Sequence, residues 1–82
     1  VTELTIKVKE IVADVLAIGA DEIDTNANLL EAFGLDSLEV VDIASRLEDE
    51  TGVHIDPSNF PRMTSVSDIC ALLSASMAEV VT

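Results

Sequence analysis

The feature that most restricts the fold of this chain is the recurrence of apolar residues every three or four positions, with almost none of the alternation that a half-buried strand needs. Leu4, Val8, Ile11, Val12, Val15 and Ile18 fall on one face of a helix at this spacing. Gly19 is the expected stop, and the polar stretch from Asp21 to Asn28 reads as a loop. Ile23, and after the loop Leu29, Leu30 and Phe33, are expected to dip back into the core. A second helix is predicted from Ser37 to Glu50, opened by a cap at Asp36 or Ser37 and closed by Gly52. Its apolar stripe is read as Leu38, Val41, Ala44 and Leu47, broadened by Val40 and Ile43.

Asp56 followed by Pro57 marks a short third helix that Pro61 should end. Ser65 and Asp68 resemble a capping box, after which Val66, Ile69, Cys70, Leu73 and Met77 form the stripe of a last helix. Val53 to Ile55 is the one extended candidate, too short for a sheet. The expected fold is therefore all-α, a small four-helix bundle with a long loop after the first helix and a short third helix. With 82 residues the chain has room for a single domain, 1–82.

Charge narrows the partners. Sixteen acidic residues against Lys7, Lys9, Arg46 and Arg62 give a formal net charge of -12. Such a surface repels nucleic acid phosphates and anionic lipid head groups and attracts basic proteins. No apolar run is long enough to span a bilayer, and no basic head followed by an apolar core marks a signal sequence. Cys70 is the only cysteine, so no internal disulfide forms, and a reducing, cytoplasmic setting fits.

The inventory for catalysis is thin. His54 has no cysteine or second histidine nearby to complete a metal site or a nucleophile pair. Cys70 sits in an apolar stripe, where a thiol is buried and poorly ionised. Glu48, Asp49 and Glu50 are consecutive and point in different directions around a helix, which rules them out as an acid and base pair. Asp21, Glu22 and Asp24 lack the long regular loop of a calcium site. No catalytic residue and no metal ligand is assigned, and the chain reads as something other than an enzyme.

Gly34-Leu35-Asp36-Ser37-Leu38 places a serine at the amino end of an acidic amphipathic helix. In this motif and its setting, from near Leu4 to near Met77, the chain resembles the acyl carrier protein family. The setting includes the long polar loop, the short third helix and the last helix opened by Thr64-Ser65-Val66-Ser67-Asp68-Ile69. The resemblance implies that Ser37 receives 4′-phosphopantetheine from a separate phosphopantetheinyl transferase. It further implies that Asp36 is the adjacent acid recognised by that transferase, beside the metal ion the transferase holds. The working thioester would form on the arm's terminal thiol, which explains why Ser37 needs no base of its own.

Glu39, Asp42 and Asp49 form an acidic ridge running from Ser37 along the second helix, interrupted by Arg46, which can pair with Asp42 or Glu50 or select among partners. Leu38, Glu39, Asp42 and Arg46 are the residues expected to meet partners. Those partners are the transferase and acyltransferase, ligase or synthase enzymes with basic docking surfaces, with the carrier a monomer when free. Phe33-Gly34-Leu35 before Asp36 departs from the Gly-Gly-Asp/His-Ser pattern of peptidyl carriers, and Ala32-Phe33-Gly34 departs from the usual fatty-acid type, in which an aspartate often precedes Leu-Gly. Pro57-Ser58-Asn59-Phe60-Pro61 is similar to aminoacyl carriers, including D-alanyl carriers. The expected role is that of a discrete carrier of an acyl or aminoacyl group in polyketide or related biosynthesis. A stand-alone peptidyl or aminoacyl carrier, or a small acidic adaptor without a cofactor, are the alternatives.

Overall fold

In the computed structural model, which describes residues 3–81 and the side chains of residues 3–75, all the regular structure is helical. Helix α1 spans Glu3–Leu16, α2 Leu29–Phe33, α3 Ser37–Thr51 and α4 Val66–Val81, with 3₁₀ segments at Ala20–Glu22 and Pro57–Arg62. The long helices α1, α3 and α4 make the bundle, α1 packing against both of the others. Val8 and Val12 of α1, Ile43 and Leu47 of α3, and Val66, Ile69 and Leu73 of α4 are buried where they meet. Leu29 and Ile23 from the connection, and Val53, Ile55 and Met63 from the segment before α4, close the core from the sides.

The first helix ends earlier than Gly19. Ala17 takes a left-handed φ of 59°, its amide donates to the Asp14 carbonyl at 3.3 Å, and the Ile18 amide donates to the Ala13 carbonyl at 3.0 Å. These two bonds are the Schellman pair that satisfies the last carbonyls of a helix. Ile18 therefore leaves the helical stripe and packs partly buried against the core from outside it. Gly19 has an ordinary φ of −76° and starts the next 3₁₀ turn.

The predicted loop is shorter and better anchored than its polarity suggests. The Ser67 amide donates to the Thr25 carbonyl at 2.9 Å and the Leu29 amide to the Thr64 carbonyl at 2.7 Å, tying the connection to the start of α4. Asn28 then caps the one-turn helix α2, its side chain accepting from the Glu31 amide at 3.1 Å. Leu29 is buried and Phe33 partly buried, as expected, but Leu30 is 61% exposed.

On α3 the apolar face is rotated from the predicted stripe. A strict spacing of three loses about 60° of azimuth at each step of a 3.6-residue helix, so Leu38, Val41, Ala44 and Leu47 cannot share a face. Ile43, Ala44 and Leu47 are buried with Val40 partly so, whereas Leu38 is 78% and Val41 47% exposed.

The third helix is 3₁₀ rather than α, and Pro61 does not end it. Two turns follow each other there: the Asn59 amide donates to the Asp56 carbonyl and the Met63 amide to the Phe60 carbonyl. Pro61 occupies the second position of the later turn, where its fixed φ is favoured and its missing N–H costs nothing. Val53 and Ile55 are buried on either side of an exposed His54, but the described residues contain no strand. Before α4, the Asp68 amide donates to Ser65 Oγ at 3.1 Å, while the Asp68 carboxylate receives the Thr64 hydroxyl at 2.6 Å. The acid of the expected box thus reaches back one residue further than Ser65. Cys70 is only partly buried, at the edge of the stripe it was expected to belong to, and the side chain of Met77 lies outside the described residues.

Candidate functional site

The chain enters α3 through a corner fixed at each residue. Gly34 adopts φ 70°, ψ 32°, a left-handed turn that suits glycine, and its amide donates to the Leu30 carbonyl at 2.9 Å. Leu35 is 4% exposed and anchors the corner in the core. Asp36 is the N-cap: the Glu39 amide donates to Asp36 Oδ1 at 2.8 Å, and the Asp36 amide donates to Glu39 Oε1 at 3.0 Å, a complete capping box. The sequence left the cap open between Asp36 and Ser37, and the geometry gives it to Asp36.

That assignment frees Ser37. It stands at the first helical position, exposed to solvent, and among the described residues no side chain hydrogen-bonds its hydroxyl. The free amides and the positive end of the α3 dipole lie beside it, an environment that tolerates an attached phosphodiester.

At the foot of Ser37 an apolar groove of about 360 Å³ opens between α2, α3 and the 3₁₀ segment, walled by Leu30, Val40, Val41, Phe60, Pro61 and Met63. Its size is at the lower end of the roughly 300–1,000 Å³ seen for small-molecule sites. None of these residues was read from the sequence as part of a site. Phe60, one of only two aromatics, was the one available signal; the rest depend on the rotation of α3 and the path of the 3₁₀ segment.

Glu39, Asp42 and Asp49 all lie on the solvent side of α3, but the ridge they form is not a row of free charges. Glu39 is engaged in the capping box. Arg46 Nε donates to Asp42 Oδ1 at 3.2 Å, and its Nη1 donates to Asp14 Oδ2 on α1. Of the two intrahelical pairings expected for Arg46, the one with Asp42 forms, and Glu50 instead pairs with Lys7 Nζ at 3.3 Å. The bond to Asp14, followed by that to Asp42, holds the guanidinium still further toward its charged form. Asp14 could not be found from spacing, since it meets Arg46 only through the packing of α1 on α3.

The remaining candidates stand apart from Ser37. His54 is exposed, with Nδ1 2.8 Å from Glu48 Oε2, the same oxygen that accepts the Ile55 amide at 2.7 Å. Burial raises the pKa of the Cys70 thiol above its ordinary value, against a smaller opposing effect of the Thr5 hydroxyl. Among the described residues no group of three or more His, Cys, Asp or Glu could hold a metal ion, and no helix is long and apolar enough to cross a membrane.

The family model described as the phosphopantetheine attachment site matches residues 7–73, most of the chain and all of the corner just described. The chain belongs to the acyl carrier protein family. It is 38% identical over 72 residues to the acyl carrier protein of Petrotoga mobilis, covering 88% of this chain and 85% of that one. To the acyl carrier protein of Saccharopolyspora erythraea it is 33% identical over 70 residues, covering 85% and 74%, and to that of Thermotoga maritima 31% identical over 71 residues, covering 87% and 88%. This carrier is accordingly not a catalyst, and its cofactor is 4′-phosphopantetheine. When bound, that group supplies a terminal thiol on which cargo is held as a thioester. Membership in the family implies a phosphopantetheinyl transferase and synthase enzymes as partners in general terms.

Proposed function

We propose that Ser37 is the residue that carries the phosphopantetheine arm and that this carrier presents an acyl group on it to enzymes of a polyketide or related specialised pathway in the cytoplasm. The observation that carries the reading is the position of Ser37: exposed, outside the cap, and at the rim of the apolar groove. Ser37 contributes the oxygen that bonds to the pantetheine-bearing phosphorus of coenzyme A, whose pyrophosphate P–O bond breaks to release adenosine 3′,5′-bisphosphate. The Ser37 hydroxyl proton leaves to a base on the transferase, since no described side chain on the carrier accepts it. Asp36 Oδ1 closes the cap, so Oδ2 is the oxygen offered to the transferase.

The groove suits the hydrocarbon part of an acyl cargo. Most of its wall is apolar, with Asp36, Ser37 and Thr64 the polar residues that line it, so an acyl chain laid there buries apolar surface. Leu38 and Val41, exposed beside Ser37, offer apolar contact to partners, with Glu39, Asp42 and Arg46 as the polar surround.

Intact-mass measurement after incubation with coenzyme A and a broad phosphopantetheinyl transferase tests the site. The wild-type chain should gain one phosphopantetheinyl group and Ser37→Ala none, with the variant still folded because Asp36 keeps the cap. A modified alanine variant would remove Ser37 from this role, and an unmodified wild-type chain would favour an adaptor without a cofactor. Weighing the protein isolated from its producer identifies the cargo directly.

A further inference from the structure

Arg46 is in an unusual position for a cation on a docking helix. It is the one basic residue lining a surface groove of about 490 Å³ between α1 and α3, whose other charged walls are Glu10, Asp14, Asp49 and Glu50. Its guanidinium is held from two sides, by Asp42 one turn back on its own helix and by Asp14 across the helix pair. Asp42 is one of the two acids in the two turns of α3 that follow Ser37, and it already has a cation.

We infer that Arg46 is an internal competitor for the basic side chains of partner enzymes: it occupies Asp42 in the free carrier and must yield that carboxylate when a partner docks. The inference rests on the docking role given to α3 above. The bond to Asp14 makes the competition effective, because it holds the guanidinium beside Asp42 even while a partner approaches. Arg46 thereby weakens each encounter and favours release, which suits a carrier that must leave one enzyme before meeting the next. It also sets specificity, since a partner must present a cation that bonds Asp42 better than Arg46 does.

The pair is half exposed and open to salt, so the effect is modest. Steady-state kinetics of phosphopantetheinyl transfer from coenzyme A to the unmodified chain read it out. Arg46→Gln should lower the KM for the carrier by about twofold to fivefold, leave kcat unchanged and steepen the salt dependence of kcat/KM, because docking charges act through association. Lys9→Gln, which removes the same charge from α1, controls for net charge and should lower KM by less. Asp42→Asn should raise KM, and adding Arg46→Gln to it should bring no further gain beyond that seen with Lys9→Gln.

A KM that is unchanged or raised in Arg46→Gln, or that falls equally in Lys9→Gln, overturns the inference while leaving docking through α3 intact. An unchanged KM in Asp42→Asn removes docking at that residue, and the role of Arg46 with it. Thermal melting of each variant identifies any change in KM that comes from a loss of fold.

Discussion

Leu38 and Leu47 stand nine residues apart on α3, two and a half turns of a 3.6-residue helix, and so face opposite ways: Leu38 is 78% exposed and Leu47 fully buried. One helix thus presents a leucine to the core and another to solvent beside Ser37.

Truncating the two leucines should therefore have unlike effects. Leu47→Ala leaves a cavity in the core cluster that Leu47 shares with Val8, Val12 and Ile69 and should cost about 2–5 kcal/mol, a large part of a small domain's stability. Leu38→Ala should stay within about 0.5 kcal/mol of wild type. Urea denaturation followed by circular dichroism compares them, and equal losses would place Leu38 in the core.

The same helix shows what could be read in advance. Its span, its glycine stop and the motif at its start follow from local signals, since caps and left-handed turns are chosen by residues within a few positions of them. Which apolar residues face inward is settled by α1 and α4, and a stripe traced by threes drifts across the helix surface. Asp14, Met63 and Phe60 share this limitation: each acquires its role from a partner distant in the chain. Cys70 and Leu30 were misplaced for the complementary reason, since being apolar does not decide burial at the edge of a helix.

Ala17 occupies the left-handed position that ends α1, which costs a non-glycine L-residue roughly 1–2 kcal/mol. Glycine would relieve that strain but lose more backbone entropy, roughly 0.5–1 kcal/mol. Ala17→Gly should therefore raise stability by about 0.5–1 kcal/mol, seen as a higher Tm with unchanged helix content. A lower Tm would mean that the turn is not held in this conformation.

Asp56 supplies a pH dependence whose sign can be worked out. Its carboxylate accepts the Ser58 amide at 2.9 Å, and that bond holds its pKa below the ordinary value, with a smaller contribution from the charge of His54. A depressed folded pKa stabilises the fold above the unfolded pKa and loses that contribution as pH falls through the folded value. Asp56→Asn keeps an acceptor oxygen but cannot titrate. The wild type's advantage over it should be largest near neutral pH and shrink steadily in acid. A difference in Tm that is constant from neutral to strongly acid solution would sink the idea.

Glu39 has two duties that substitution can separate, because its carboxylate both closes the capping box on the Asp36 amide and adds negative charge within the first turn after Ser37. Glutamine can accept the same amide and so keeps the box while removing the charge. Lysine removes the box and reverses the charge near the positive end of the helix dipole. Glu39→Gln should melt close to wild type, and Glu39→Lys should lose about 1 kcal/mol, the usual scale for a lost cap. Transfer by a basic partner enzyme should slow in both and more in the lysine variant, with salt dependence weakening in the same order, because surface charges act through association and are screened over about 10 Å at 0.1 M salt. If the glutamine variant transfers at the wild-type rate at every salt concentration, the charge of Glu39 plays no part in docking and its role at the start of α3 is the cap alone.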